Sequence, residues 1–255
     1  MEKITEKEKK FHNFRFKFDT RKKLDKYYSI TAKANEFFFH QINSNVKSLH
    51  MLDFGCGEGH NSIQLLKTNL TAKLFGIDIS EVAIKNAKQK LLIADKFGTN
   101  IFLLVMNAEQ IGFKGRQFYK IFGSAILHHL DLQNALSEIN RLLLPNGEAI
   151  FLEPLGHNIF INLFRKLTPK LRSEDEHPLC EKDLLLFNKY FEQVDLKYFN
   201  LTTMFSLPFR NTFIFPKIFN FLDKIDSILF KFRFFQRNAW IVIINLSKPK
   251  ELKTN

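Results

Sequence analysis

One glycine-rich loop constrains the fold of this chain more than any other feature. An apolar run ends at Phe54, glycines follow at Gly55, Gly57 and Gly59, and an amphipathic segment begins directly afterwards. This order predicts a strand, a tight loop and a helix, which together open a βαβ unit. Glycines let the backbone take positive φ and lie close to a ligand, and the following helix presents free N–H groups to an anion. We therefore expect a small-molecule binding site at this loop.

Strand and helix patterns alternate after the loop. The predicted helices cover 61–70, 80–97 and 132–143, with Ser80 as the N-cap of the second and 145–147 closing the third. The first predicted strand ends at Phe54. The other six predicted strands cover 73–78, 101–105, 119–125, 148–152, 191–199 and 239–245. Such alternation predicts an α/β fold, a doubly wound, seven-stranded, mostly parallel sheet of the Rossmann-like type with helical cap insertions.

The alternation also suggests how the chain is organised. Residues 1–45 are predicted to form an N-terminal helical segment that covers the binding loop. Residues 46–255 are predicted to form the main domain, with cap regions inserted at about 156–190 and 201–237.

The N-terminal segment carries Phe11, Phe14 and Phe18 at helical spacing among lysines and arginines. We expect a helix that packs this phenylalanine stripe on the core. The alternative is a basic amphipathic segment that leans on a membrane or covers a pocket.

The amino-acid composition narrows the classes of binding partner and the cellular compartment that we expect. A net charge of +12 suits nucleic acid, anionic lipid or an acidic substrate, although abundant Phe, Ile, Asn and Lys are also what AT-rich coding would produce. No pattern of a nucleic-acid module is present, so we expect no nucleic-acid partner. Cys56 and Cys180 lie far apart without a CxxC pair, which argues against a metal site and for a reducing, cytoplasmic setting. The chain starts without an apolar signal-peptide core, and no apolar stretch reaches about 18 residues.

Two classes of cofactor compete for a glycine loop of this kind. Dinucleotides prefer G-x-G-x-x-G, whereas the glycines here follow G-x-G-x-G. Asp53 ends the preceding strand, where a carboxylate would repel a pyrophosphate and suit a cationic ligand. S-adenosylmethionine fits because it has no phosphate, an amino acid tail and a positive sulfur. An NAD(P)-dependent oxidoreductase stays as the alternative.

From about 45 to 155 the chain resembles the class I S-adenosylmethionine-dependent methyltransferases. The resemblance rests on stretches that follow one another in the family's order: 52–59, 76–80, 107–110, 124–130 and 141–147. Asn107 stands where the family more often has Asp, and Asn146 where Gly is commoner. The resemblance implies S-adenosylmethionine as the cofactor, Asp78 as the acceptor of both ribose hydroxyl protons, and an adenine contact from 107–110. The residues it implies for cofactor binding are Asp53, Gly55, Cys56, Gly57, Asp78, Ile79, Asn107, Ala108, Glu109 and Ser124.

Methyl transfer is an in-line displacement, so the protein supplies alignment and, for some acceptors, a base. Ligands of open α/β sheets lie beyond the carboxyl ends of the strands. Two histidines, His128 and His129, follow the fourth predicted strand, and Glu153 and His157 follow the fifth. We predict His128, Glu153 and His157 as catalytic candidates, although a structural role for the histidine pair is an equal alternative.

The acceptor is predicted from the cap insertions, which are rich in Phe, Leu and Ile. Within 201–237, Lys217, Lys224 and Lys231 repeat opposite an apolar stripe, which predicts a basic amphipathic helix. We expect a small, apolar or lipid-like acceptor, met at an anionic membrane on its inner face. A non-catalytic cofactor-binding protein is a further alternative, and the sequence makes no prediction of oligomeric state.

Overall fold

The computed structural model describes residues 2–18, 29–44, 50–68, 72–93, 100–168 and 177–251. Its strands are β1 Met51–Phe54, β2 Leu74–Asp78, β3 Ile101–Val105, β4 Phe118–Ser124, β5 Leu143–Pro154, β6 Phe191–Phe199 and β7 Ile241–Pro249. Its α-helices are α1 Glu2–Phe18, α2 Ala32–Asn43, α3 His60–Leu66, α4 Glu81–Ile93, α5 Leu132–Leu142, α6 Ile159–Leu167, α7 Glu181–Tyr190, α8 Phe215–Leu229 and α9 Arg233–Gln236. Short 3₁₀ segments cover Leu127–His129 and Thr202–Phe209.

The seven strands form one sheet in the order β3-β2-β1-β4-β5-β7-β6. The first five pair in parallel, and β7 runs antiparallel to both β5 and β6. All four residues of β1 are buried, as a strand covered on both faces requires. The predicted doubly wound, mostly parallel sheet is therefore confirmed, and helices α6 to α9 fall in the two predicted insertions.

Local capping explains where two of the helices begin. Ser80 caps α4 as predicted, because its Oγ accepts the Ala83 N–H at 3.1 Å. Asp131 caps α5 in the same way by accepting the Asn134 N–H at 3.0 Å. Helix α3 ends at Leu66, where Lys67 is its C-cap, so the prediction that it continues to 70 is wrong. The predicted end of α4 at 97 lies outside the described residues.

Strand β5 differs from its prediction. It begins at Leu143 rather than at 148, so the expected turn at 145–147 lies inside the strand. Leu143 pairs with Phe118 and Glu148 pairs with Lys120, with a register shift between the two pairs. The Pro-Asn-Gly sequence is therefore accommodated as an irregularity in the ladder, which the register shift absorbs.

Helix α1 is not oriented as its phenylalanine stripe predicts. Phe14 and Phe18 are 59% and 58% exposed, so the prediction that they pack on the core is wrong. The inward face carries Glu8, which is only 6% exposed, together with half-buried His12.

Polar contacts with the start of α4 hold α1 in this orientation. Lys9 pairs with Glu81 at 2.7 Å, and Asn13 Oδ1 accepts the Ser80 hydroxyl proton at 2.6 Å. These contacts lie on a different side of the helix from Phe14 and Phe18, which explains why the apolar stripe faces outwards.

The second insertion contains the predicted basic amphipathic helix, α8. Lys217, Lys224 and Lys231 are exposed, while the apolar stripe at 218, 222, 225 and 229 is half-buried. Phe232, the last residue of the predicted stripe, follows the end of the helix and is 59% exposed. Among the helices of the described residues, none is both long and apolar enough to cross a membrane.

Asp226 anchors this insertion to the end of β6. Its buried carboxylate accepts the N–H groups of Leu201 and Thr202 at 3.0 and 2.7 Å. The hydroxyl groups of Thr202 and Thr203 donate to it at 2.6 and 3.0 Å. One side chain of α8 therefore satisfies the start of the 3₁₀ segment.

We expect Asp226→Ala to lower the free energy of unfolding by about 3 kcal/mol, because several buried donors lose a charged acceptor. Urea unfolding followed by circular dichroism measures this change. Asp195→Ala, at an exposed position of β6, is the control and should change stability by less than about 0.5 kcal/mol. Equal stability of the two variants would contradict the anchoring role.

Candidate functional site

The glycine loop lies between β1 and α3 and has the backbone geometry that its composition predicts. Gly55, Gly57 and Gly59 have φ values of 76°, 51° and 75°. A Cβ on Gly55 would lie 2.5 Å from Ile126 Cγ1, which is too close for any side chain. Gly55 is therefore required both by its positive φ and by the close approach of the turn after β4.

Two adjoining cavities, of about 1030 and 60 Å³, lie beside this loop. Both are bordered by Gly55, Asp78, Ile126, His12 and His129. Except for Asp53, all of the residues predicted to bind a cofactor line one cavity or both. The larger cavity is lined by Gly55, Cys56, Gly57, Asp78 and Ser124, and the smaller by Gly55, Asp78, Ile79, Asn107, Ala108 and Glu109. The structure thus brings together predicted residues that are far apart in sequence, the most distant being Gly55 and Ser124, 69 positions apart.

Asp78 ends β2 and ties the glycine loop to the start of α4. Its Oδ2 accepts the Gly57 N–H at 2.8 Å, and its Oδ1 accepts the Ser80 N–H at 2.8 Å. Burial raises the pKa of this carboxyl, while the two N–H donors oppose that rise. Each carboxylate oxygen has more than one lone pair, so Asp78 keeps acceptor capacity towards the cavities.

The stretch after β3 is held by its own side chains. Asn107 Oδ1 accepts the Glu109 N–H at 2.9 Å, which closes a tight local turn. Glu109 Oε1 accepts the Asp131 N–H at 2.9 Å, which links the turn to the start of α5. These bonds fix the wall of the smaller cavity.

Asp53 lies behind the loop and not on either cavity. Its Oδ2 accepts the Ser62 hydroxyl proton at 2.6 Å, and the side chain is fully buried. Burial raises the pKa of this carboxyl to about 7, and the Ser62 hydrogen bond opposes the rise. The described structure thus gives Asp53 no contact with a ligand in these cavities, so its negative charge does not by itself select a cationic ligand there.

Glu153 holds the turn that follows β4. Its Oε1 accepts the N–H groups of Ile126 and Leu127 at 2.9 and 2.8 Å. Its Oε2 lies 2.7 Å from Nδ1 of His128, and both side chains are buried. Burial also raises the pKa of the Glu153 carboxyl to about 7. Neither side chain lines either cavity, so this predicted pair holds the turn from the side that faces away from the cavities.

The neighbouring histidine, His129, is the one that faces both cavities. Its ring centroid lies 4.1 Å from that of His128, with the two rings tilted by 37°, and 5.0 Å from that of His12. Glu8 Oε2 lies 3.2 Å from His12 Nε2 and 3.6 Å from His129 Nδ1. Sequence reasoning missed Glu8 and His12. Their only signal is the four-residue spacing that places them on one face of α1.

His157 is exposed and lines neither cavity. Its Nε2 lies 3.4 Å from the Glu181 N–H, which donates to it at the start of α7. Although predicted together with His128 and Glu153, His157 is thus placed against a helix terminus.

A family model described as a methyltransferase domain matches residues 45–192, more than half of the chain. The chain belongs to this methyltransferase family. Membership confirms the resemblance to the class I S-adenosylmethionine-dependent methyltransferases, and it favours that class over the predicted alternative of an oxidoreductase.

Several curated relatives are named as methyltransferases. Demethylmenaquinone methyltransferase from Staphylococcus aureus is 32% identical over 168 residues, which cover 58% of this chain and 68% of that protein. Ubiquinone/menaquinone biosynthesis C-methyltransferase UbiE from Rickettsia typhi is 33% identical over 126 residues, or 47% of this chain and 48% of that protein. The match spans about half the length, or less, of the first relatives.

Solved structures share the fold at low sequence identity. Phosphoethanolamine N-methyltransferase 2 from Haemonchus contortus, in complex with S-adenosyl-L-methionine, has a TM-score of 0.64 and 17% identity, covering 94% of this chain and 60% of that chain. Geranyl diphosphate C-methyltransferase from Streptomyces coelicolor A3(2) has a TM-score of 0.58 and 13% identity, covering 85% and 79%.

The raised pKa of Asp53 predicts a pH-dependent stability. The folded carboxyl has a pKa of about 7, against roughly 3.9 in an unfolded chain. Between these values the unfolded chain releases a proton that the folded chain keeps, so stability falls as the pH rises. Relative to Asp53→Asn, the wild-type free energy of unfolding should fall by up to roughly 4 kcal/mol between about pH 4 and pH 7, then level off.

Urea unfolding at a series of pH values measures this difference. Ser62→Ala serves as the matched variant, because it removes the hydrogen bond that lowers the pKa of Asp53 and should extend the fall to higher pH. Parallel pH curves for wild type and Asp53→Asn would show that Asp53 does not titrate in this range.

Proposed function

We propose that the chain transfers a methyl group from S-adenosylmethionine to a small-molecule acceptor. The observation that carries the proposal is the convergence of the glycine loop, Asp78 and the Asn107 turn on adjoining cavities at the carboxyl ends of β1 to β4. In the reaction, an acceptor nucleophile forms a bond to the methyl carbon while the carbon–sulfur bond breaks and the sulfonium becomes a neutral thioether. The protein's contribution is alignment in a site that excludes water.

The residues present suit this cofactor. Gly55 and Gly57 allow a ligand to approach the backbone, and Asp78 keeps acceptor capacity for ribose hydroxyl groups. Ile79 and Ala108 supply apolar wall to the smaller cavity, where we place the adenine ring. A larger cavity of about 1030 Å³ leaves room for an acceptor beside the methionine portion.

We place the acceptor next to His129 in the larger cavity. Glu153 and His128 support this position from behind by fixing the turn after β4. His157 lies against α7, so we propose no contact between it and the acceptor.

We further propose that the acceptor is apolar or lipid-like. Phe16, Phe38 and Phe39 line the larger cavity and give it aromatic walls. The Staphylococcus aureus relative is named for demethylmenaquinone and the Streptomyces coelicolor structure for geranyl diphosphate, both of which are names of acceptors with apolar chains.

An exposed apolar helix supports contact with an anionic membrane. In α6 only Ile161 is buried. The exposed apolar side chains of this helix are Ile159, Phe160, Leu163, Phe164 and Leu167. Phe160 also contacts the exposed Phe205 of the second cap, with ring centroids 5.2 Å apart, so the apolar surface continues between the two caps.

Basic residues border this surface. Lys166 is exposed in the last turn of α6. On α8, Lys217 and Lys224 alternate with exposed Phe221 and Ile228 along one side of the helix, and exposed Lys231 follows the end of the helix. An apolar surface bordered by lysines suits insertion at the boundary of an anionic bilayer, where each lysine contributes about 1 kcal/mol.

Asp78→Ala is expected to weaken S-adenosylmethionine binding at least about tenfold, because the ribose loses its acceptor. Isothermal titration calorimetry measures the dissociation constant, and thermal unfolding checks that the variant folds. Asp195→Ala, on exposed β6, should bind as wild type does. Unchanged affinity in a folded Asp78→Ala variant would contradict the placement of the cofactor.

The membrane proposal predicts co-sedimentation with vesicles of phosphatidylglycerol and phosphatidylcholine, weakened by salt and absent with phosphatidylcholine alone. Replacing Ile159, Leu163 and Leu167 by Ser should weaken this binding about tenfold or more, because it removes apolar surface that enters the bilayer. Leu92→Ser with Ile93→Ser, at exposed apolar positions of α4, is the matched control and should leave binding unchanged. No sedimentation of the wild type, or equal loss in the control, would end the membrane proposal.

A further inference from the structure

A cluster of three ligand-type side chains lies at the border of the two cavities. Glu8 and His12 come from α1, and His129 comes from the turn after β4. One ligand atom from each of the three lies within 4.8 Å of the others. All three residues line the smaller cavity, and the two histidines also line the larger one.

Two of the separations match those between the ligands of one tetrahedral metal ion. Zinc binds nitrogen and oxygen at about 2.0–2.2 Å, which sets neighbouring ligand atoms roughly 3.3–3.6 Å apart. Glu8 Oε2 lies 3.2 Å from His12 Nε2 and 3.6 Å from His129 Nδ1. The second separation exceeds an ordinary hydrogen bond and falls at the upper end of this ligand-to-ligand range.

Burial adds a second reason for a bound cation. The side chains of Glu8, His12 and His129 are 7%, 13% and 4% exposed. Within the described residues, His129 Nδ1 is buried without a hydrogen-bond partner, which costs free energy unless a ligand satisfies it.

We propose that Glu8, His12 and His129 bind one divalent transition-metal ion of the zinc class. Two imidazoles and one carboxylate form the ligand set of a site that keeps a fourth position open. Because the three side chains line the smaller cavity, the open position faces the space beside the proposed cofactor and acceptor.

The ion would also attach α1 to the sheet, since two ligands lie on the helix and the third follows β4. This inference goes beyond the proposed function and does not rest on it. Metal binding is measured on the chain alone, without methyl donor or acceptor, so a failure of either proposal is recognised separately.

The test uses the full chain, free of any affinity tag and stripped with a chelator. Zinc titration against a chromophoric chelator should show one equivalent bound with micromolar or tighter affinity. Cobalt(II) should give the visible absorption of a tetrahedral site without thiolate charge-transfer bands. Because the ion joins α1 to the sheet, zinc should also raise the melting temperature in a concentration-dependent way.

Single replacements locate the ion. Glu8→Ala, His12→Ala and His129→Ala should each weaken zinc binding by about tenfold or more. His177→Ala is the matched control, because His177, Cys180 and Asp183 form another potential ligand group, and it should bind as wild type does. Wild-type binding weaker than micromolar, loss of binding in His177→Ala alone, or cobalt thiolate bands would each overturn the proposal. The wild-type measurements decide the question even where a variant fails to fold.

Discussion

The close packing of the glycine loop against the side chain of Ile126, in the turn after β4, governs this site. The loop after β1 passes so near the turn after β4 that only glycine fits at Gly55, where Ile126 occupies the space of a side chain. This approach requires positive φ in the loop and a fixed turn opposite it. Two carboxylates, the half-buried Asp78 and the buried Glu153, hold these segments in place. Asp78 accepts the Gly57 N–H, and Glu153 accepts the N–H groups at the start of the turn. The cavities exist because both segments are held in this way.

The same arrangement explains why one of the two adjacent histidines is held in the interior and the other faces the cavities. Glu153 holds His128 in the interior, and the 3₁₀ turn then directs the next residue, His129, towards the cavities. Helix α1 completes the wall with Glu8 and His12, held in place by its polar contacts with α4. The cavity wall on this side therefore comes from two segments that are remote in sequence, and the proposed metal ion would join them.

Much of the fold follows from local sequence patterns. Alternating strand and helix patterns predict the sheet, and the glycine spacing and Asp78 predict which residues border the cavities. The orientation of helix α1 and of several side chains at the site depends instead on packing between residues that are remote in sequence. The phenylalanine stripe of α1 suggests an apolar contact, but Ser80 and Glu81 of α4 offer polar partners that turn Phe14 outwards. Adjacent histidines are equivalent in sequence, and only the 3₁₀ geometry distinguishes them. Asp53 shows most clearly what sequence patterns leave undetermined. Its position near the strand end does not reveal that a hydrogen bond from Ser62 holds its side chain behind the loop and away from the cavities.

The proposed function requires that the cavity beside the glycine loop receives S-adenosylmethionine. Parallel calorimetric titrations of the wild-type chain with S-adenosylmethionine and with NAD test it most directly. We expect one S-adenosylmethionine bound per chain with micromolar affinity and no measurable heat of binding from NAD. Tight binding of NAD without binding of S-adenosylmethionine would contradict it.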